Sequence, residues 1–542
     1  MNLIESPWLP VRYASGARRW IAPHEIADDS AADAVIALDF PRPDWNAAVT
    51  EFLIGLTALA FQPNSDDDWR VIWREPPTPN VFREKLSPFT SAFELLGDGP
   101  RAFQDLDALG DAEEKDIAQL LIEAPGGSAL TKNTDLFQKR GVVDALAAPY
   151  AAAALITLQT FAPSGGVGHR TSLRGGGPLT TLVRPSATAT LWQIIWANIP
   201  FVRDVPEDGL EDSEWAKVLP WLSPARTSDS GKSAVGEVPE DAHSLQAFFG
   251  TPRRIRLGAF ESEVACALGG PTHWPCIKFY KAKNYGVNYM GWRHPLSPYR
   301  LDEKQSLMFP LHPRADRPTY RDWLGYWAAA DPNTRFPAAC VLSWRDQRAR
   351  LAQGEKHWLD AWGFAMDNAK PLAWIETRIP AFAFDDKDAG ALFYSSIATL
   401  IDAADKAARG LQFAVKVALF GAWSAKNNSF QLPDGVKSEA ADDVGEAFWR
   451  NTQHDFEVLL EQIAAAPKSF DEAMKRSWLR AIRAAAIDLF EGRLGGDEAY
   501  WEDPKRIVFA KGGLSRELSE YSKAAKALGI VPAEKKQEGS AA

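Results

Sequence analysis

From Phe393 onward apolar residues recur every three or four positions, and this recurrence restricts the last third of the chain more tightly than any other feature. Phe393, Ile397, Leu400, Ile401 and Ala404 fall on one side of a helix read over residues 392–420, with a break expected near Gly410. Val444, Phe448, Phe456, Leu459, Leu460 and Ile463 form a second stripe. Ser469 with Glu472 has the spacing of a capping box and opens a third, through Met474, Trp478, Ala481, Ile482, Ala485 and Leu489. Leu514, Leu518, Tyr521, Ala525 and Leu528 make a fourth. No such stripe can bury itself alone. The pattern therefore predicts a C-terminal four-helix bundle over residues 385–530, followed by a disordered tail over 531–542.

Residues 1–384 lack that regularity and mix short strand-like and helical stretches. They read as a mixed α/β N-terminal globular domain, which makes the whole chain α+β. Helices are expected over residues 45–61 and over 187–202 up to Pro200, and a short strand with a turn in the opening segment. Residues 93–109 read as loop, residues 225–242 as a mobile polar loop, and residues 277–290 as a hairpin or bent strand pair. The alanine-rich run 142–161 has no membrane-type flanks and reads as a buried helix. With no secretory n-region before an apolar stretch at the N-terminus, the expected location is the cytoplasm.

Six glycines and two arginines crowd the stretch APSGGVGHRTSLRGGGPLTTL that begins at Ala162. Glycine-rich backbone of this kind serves either a chain reversal or a close approach to a phosphate or a base edge. A P-loop is excluded because no Lys-Ser or Lys-Thr follows at the required spacing. A dinucleotide fingerprint is excluded because Thr171 stands where its third glycine belongs. Neither H-E-x-x-H nor G-x-S-x-G occurs, the carboxylates are scattered, and His169 reads as an exposed loop residue before it reads as an acid–base group. Cys266, His273 and Cys276 supply three possible zinc ligands without a nearby fourth, which favours a half-buried thiol pair. No cofactor and no catalytic residue is expected.

A net charge of −11 argues against a protein that grips nucleic acid by its overall field. Any such contact must come from a few placed basic groups. Lys281 and Lys283 are two apart on an expected strand and so share a face, while Arg170 and Arg174 flank the glycines. Each, taken alone, reads first as a solvated surface charge.

The opening MNLIESPWLPVR, the segment SLRGGGPLTTLV, the segment KFYKAKNYGVNYMGWRHPLSP and the segment GFAMDNAKPLAWIE occur in an order that resembles the CasA family, the large subunit of the type I-E CRISPR Cascade. With the terminal bundle the resemblance covers nearly the whole chain. It implies a ribonucleoprotein subunit of antiviral defense that recognises the protospacer-adjacent motif (PAM) of target double-stranded DNA through the minor groove. It also implies help in opening the strands for guide RNA pairing (R-loop formation) and in recruiting the CRISPR helicase-nuclease. The partners implied are guide RNA-bearing Cascade backbone subunits, target duplex and helicase-nuclease, without a membrane.

Carried over residue by residue, the resemblance implies a DNA-reading glycine loop at Gly165, Gly166, Val167 and Gly168, with Arg170 beside it. Lys283 takes the place of a minor-groove lysine finger, with Lys281 as its substitute. Asp367, Asn368 and Ala369 match a strand-separating wedge, Asn368 at the tip where the family often has glutamine. The segment TKNTDLFQKR matches a complex-anchoring loop, with Leu136 and Phe137 as apolar anchor and Lys139 and Arg140 beside phosphate. Two other classes stay open: an assembly scaffold that never touches DNA, and a carbohydrate-active enzyme suggested by acidity and 21 tryptophans.

Overall fold

Two helices buried on nearly every side, Pro43–Ala60 and Ala148–Phe161, pack against each other in the first of two compact units. In this computed structural model the described residues are 1–28, 33–135, 139–201, 212–229, 234–238, 240–270, 273–302, 304, 307–314, 319–328, 335–352, 356–494 and 503–531. The first unit comprises Met1–Arg317 and Asp331–Ala383, the second Pro318–Ala330 and Phe384–Ala542. Both central helices carry a proline in the first turn, where its missing N–H costs nothing. The run expected helical from residue 142 becomes helix only at Ala148, because Leu146–Ala147 pairs as a short strand with Cys276–Ile277.

Aromatic rings fill the space around these helices. Trp45 lies 5.5 Å from Tyr150, and Phe52 lies 5.8 Å from Phe103. Trp69, Trp196 and Trp192 stack in series with nearly parallel planes. The tryptophan content thus goes largely into core packing. One ion pair sits inside this core: Arg174 donates to Glu51 at 2.6 Å, and also to Thr180 and Ser297. Arg174 is therefore a buried brace rather than a surface charge beside the glycines.

Two antiparallel sheets of the first unit carry the lysine and Asp367–Ala369 segments singled out in the sequence. In one, Phe279–Lys283 lies between Glu114–Asp116 and Arg254–Leu257. In the other, Lys356–Asp367 and Lys370–Phe382 form a long hairpin, with Thr180–Arg184 added along its first strand. The hairpin expected within residues 277–290 does not form. Phe279–Lys283 takes its partners from distant chain, and Tyr289–Met290 pairs in parallel with Val235–Gly236. That pairing also gives the polar stretch 225–242 a strand and the buried Ser228 instead of plain loop. The helix expected over 187–202 is confined to Leu191–Ala197, capped by the reciprocal bonds of Thr190 and Gln193.

The second unit is built on Lys387–Phe420, a 34-residue helix that runs unbroken through Gly410. Ala407, Ala408 and Leu411 beside that glycine are buried, and their packing outweighs a helix penalty of about 1 kcal/mol. Around it lie Asp442–Asn451, Gln453–Ala465, Glu472–Leu494 and Pro504–Glu517. The third helix is capped by Asp471, whose carboxylate accepts the Met474 N–H at 2.9 Å, and not by Ser469, which bonds Ala466.

Tyr320 stacks on Phe456 with 4.2 Å between ring centroids, and its hydroxyl meets Thr452 Oγ1 at 2.7 Å. Tyr320 and Trp323 thus contribute to the core of the second unit from a part of the chain well before its main helix. The stripe expected from Leu514 to Leu528 is divided between Pro504–Glu517 and Lys523–Ala527, and Tyr521 between them is exposed. Of the tail expected over 531–542, all but Val531 lies outside the described residues. Among the described residues no helix is long and apolar enough to cross a membrane.

Candidate nucleic-acid interface

The helix Ala148–Phe161 ends at Ala162, and the glycine loop begins there. The loop is closed at its base, where Ser172 N–H donates to Ala162 O at 3.0 Å, and turns at its tip, where His169 N–H donates to Gly166 O at 3.0 Å. Its glycines have different reasons. Gly168 holds φ +78°, and a Cβ there would meet Tyr285 N at 2.8 Å. A Cβ on Gly166 would meet nothing within 4 Å. Internal packing therefore accounts for Gly168 but leaves Gly166 facing open space, next to Val167, which is 75% exposed.

Strand Phe279–Lys283 delivers its end to the same place. Tyr285 N–H donates to Gly168 O at 2.8 Å, so the turn after Lys283 is fastened to the loop. Arg170 braces that turn from below. Its Nε donates to Ser228 Oγ at 2.6 Å, and Ser228 Oγ donates to Gly286 O at 2.7 Å. Arg170 is half-buried and committed to this brace rather than displayed beside the glycines.

The wedge segment arrives from the other sheet. Asp367 and Lys370 close the long hairpin, leaving Asn368 and Ala369 as an exposed two-residue tip. Asn368 takes φ 52°, a left-handed conformation that asparagine tolerates well. Ser164 Oγ donates to Asn368 O at 3.3 Å, which ties the tip to the chain just before Gly165. Glycine loop, lysine strand and hairpin tip thus meet along one open groove of about 1550 Å³.

Lys281 and Lys283 do share a face, but an acidic loop lies over it. Lys283 Nζ is 2.5 Å from Asp111 Oδ1, and this hydrogen bond holds the Asp111 carboxyl below its ordinary range. Lys281 Nζ points at Gly110 O at 3.5 Å. Arg254, opposite Lys283 in the register, pairs with Asp105 at 2.5 Å. Both lysines are half-buried and engaged.

Of the anchoring segment, Leu136 and Phe137 lie outside the described residues. Lys139 is exposed. Arg140 closes its own loop, donating to Asp135 at 2.6 Å and to Leu130 O and Asn133 Oδ1 at 3.0 Å. Thr131, Lys132 and Asp135 line the groove that the glycine loop also lines. Among the described residues no group of three or more His, Cys, Asp and Glu side chains is placed to hold a metal ion. Cys266, Cys276 and Cys340 are free thiols. Sequence reading passed over Lys115 and Arg253, which line the groove beside His169. Neither stands in a motif: the sheet register brings Lys115 there, and bonds to Gln159 hold Arg253.

The family model for CRISPR-associated protein Cse1 matches residues 2–489. The chain belongs to the Cse1 family. Its fold is similar to that of CasA from Thermus thermophilus, at 19% identity and a TM-score of 0.69, covering 98% of this chain and 100% of that one. Thermobifida fusca Cse1 is similar at 16% identity and a TM-score of 0.69, covering 98% and 99%. A chain of a CRISPR RNA-guided surveillance complex is similar at 16% identity and a TM-score of 0.66, covering 96% and 99%. These findings bear out the Cse1/CasA resemblance seen in the sequence, and the α+β class with its C-terminal helices agrees with them.

Proposed function

We propose that this Cse1-family chain acts as the large subunit of a type I-E surveillance complex, a binding and gating subunit rather than a catalyst. It reads the PAM of target duplex DNA from the minor groove, helps open the duplex for the guide RNA, and helps recruit the helicase-nuclease. The observation that supports this most is the meeting of Gly168, the turn after Lys283, and the hairpin tip at Ala369 around one groove, with Asn368 tied to Ser164 through its carbonyl. A scaffold that never touches DNA gives no reason for three segments so distant in sequence to converge on an open surface.

Gly166 offers backbone without a side chain to the groove floor. Lys283, once released from Asp111, can donate to the T O2 and A N3 acceptors there. Asn368 then stands at the first base pair beyond the PAM, where separating one step costs a few kcal/mol that RNA–DNA pairing offsets. An acidic chain can do this inside a complex whose other members supply most phosphate contacts.

The test uses the chain assembled with guide RNA and partner subunits. Lys283→Ala should lower the affinity ratio between PAM-bearing and PAM-scrambled duplexes in a mobility-shift assay while assembly stays intact. An unchanged ratio in a fully assembled variant complex defeats the reading.

A further inference from the structure

The groove holds two further cations and an imidazole that the PAM-reading assignment does not use. Arg253 is fixed by reciprocal bonds with Gln159: its backbone N–H donates to Gln159 Oε1 at 3.0 Å, and Gln159 Nε2 donates to Arg253 O at 2.9 Å. Its guanidinium reaches the Pro163 carbonyl at the root of the glycine loop, and its Nε is buried without a hydrogen-bond partner. Lys115 stands opposite Tyr280 in the register, on the sheet face away from Lys281 and Lys283. Among the described residues neither Lys115 nor Arg253 has a carboxylate at ion-pair distance. His169 completes the group from the loop itself, and all three line the groove.

Partial burial, and then the charges of Arg253 and Lys115, hold the His169 ring below its ordinary pKa. Burial likewise pushes the Arg253 guanidinium down to about 10. Two cations that lie near one imidazole, with no described carboxylate at ion-pair distance from either, are the electrostatic complement of an anion, and the neutral imidazole adds a hydrogen-bonding group beside them.

We infer that Lys115, Arg253 and His169 form a binding site for one backbone phosphodiester of a nucleic-acid strand lying in the groove. This rests on the proposed nucleic-acid role but not on PAM reading by Lys283. The phosphodiester sets the strand's position and conveys no base identity.

Lys115→Gln in the full chain, assembled with guide RNA and partners, tests the site, with Lys115→Arg as the charge-keeping control. The logarithm of duplex affinity is followed against the logarithm of salt concentration. Lys115→Gln should reduce the magnitude of the slope by about 0.9, and weaken PAM-bearing and PAM-scrambled duplexes alike, while Lys115→Arg keeps the parental slope. If the DNA slope is kept but the variant leaves guide-loaded partners more readily without DNA, the phosphodiester is the guide's, and the site stands. Parental slope together with parental retention overturns it. A flattened slope in Lys115→Gln alongside an unchanged PAM ratio in Lys283→Ala would sink the PAM reading alone.

Discussion

Lys283 Nζ lies 2.5 Å from Asp111 Oδ1 and 4.0 Å from Asp107 Oδ2, so the proposed minor-groove lysine is already occupied within its own chain. DNA must compete with this pair. Because Asp111 is largely exposed, water and salt screen the attraction and the competition is mild. Asp111→Asn should therefore raise duplex affinity of the assembled complex by only about two- to fivefold, read by mobility shift at fixed salt. A fall in affinity would mean that Asp111 aims Lys283 rather than restrains it.

Gly166 and Gly168 should separate folding from binding. Gly168→Ala forces a left-handed backbone on alanine and drives its Cβ into Tyr285 N, at a cost of about 1–3 kcal/mol, visible as a lowered Tm. Gly166→Ala should leave Tm unchanged and weaken capture of PAM-bearing duplex. Equal capture by Gly166→Ala and parent would remove that residue from the interface.

The buried pair between Arg174 and Glu51 should behave as a structural unit. Arg174→Met strands the Glu51 carboxylate and should destabilise the chain by about 3–5 kcal/mol in denaturant unfolding. Adding Glu51→Gln should recover part of that loss.

His294 should give the fold an acid sensitivity. Its ring is buried, Nδ1 accepts the Leu296 N–H at 3.1 Å, and desolvation followed by the Arg174 charge holds its pKa well below 6.5. The folded ring stays neutral where the unfolded ring takes up a proton. Its contribution is therefore complete above about pH 6.5 and is lost as pH falls below that value, at up to about 1.4 kcal/mol per pH unit. In His294→Gln the slope of stability between about pH 5.5 and 6.5 should flatten; a parental slope would assign it to other groups.

Sequence periodicity found C-terminal helices, because a buried stripe such as Ile397, Leu400 and Ala404 is a local signal, but the stripe from Val444 to Ile463 is divided between Asp442–Asn451 and Gln453–Ala465. It misjudged their punctuation. Gly410 does not break its helix, and Asp471 caps where Ser469 was expected, since packing and side-chain geometry decide among neighbouring candidates. The three segments around the groove were legible through family resemblance, but their surroundings were not. Nothing local reveals that Asp111 covers Lys283, that Ser228 holds Arg170, or that Glu51 holds Arg174, because each pair joins residues far apart in the chain.

Ser164 grips residue 368 by its carbonyl oxygen, so this tie between loop and hairpin tip is indifferent to the side chain the tip bears. Any residue at ease in a left-handed backbone can sit there, and glycine, asparagine and aspartate do so most readily. The tip behaves like an exchangeable bit in a fixed chuck: its reach and chemistry can be recut without re-machining the tool that holds it.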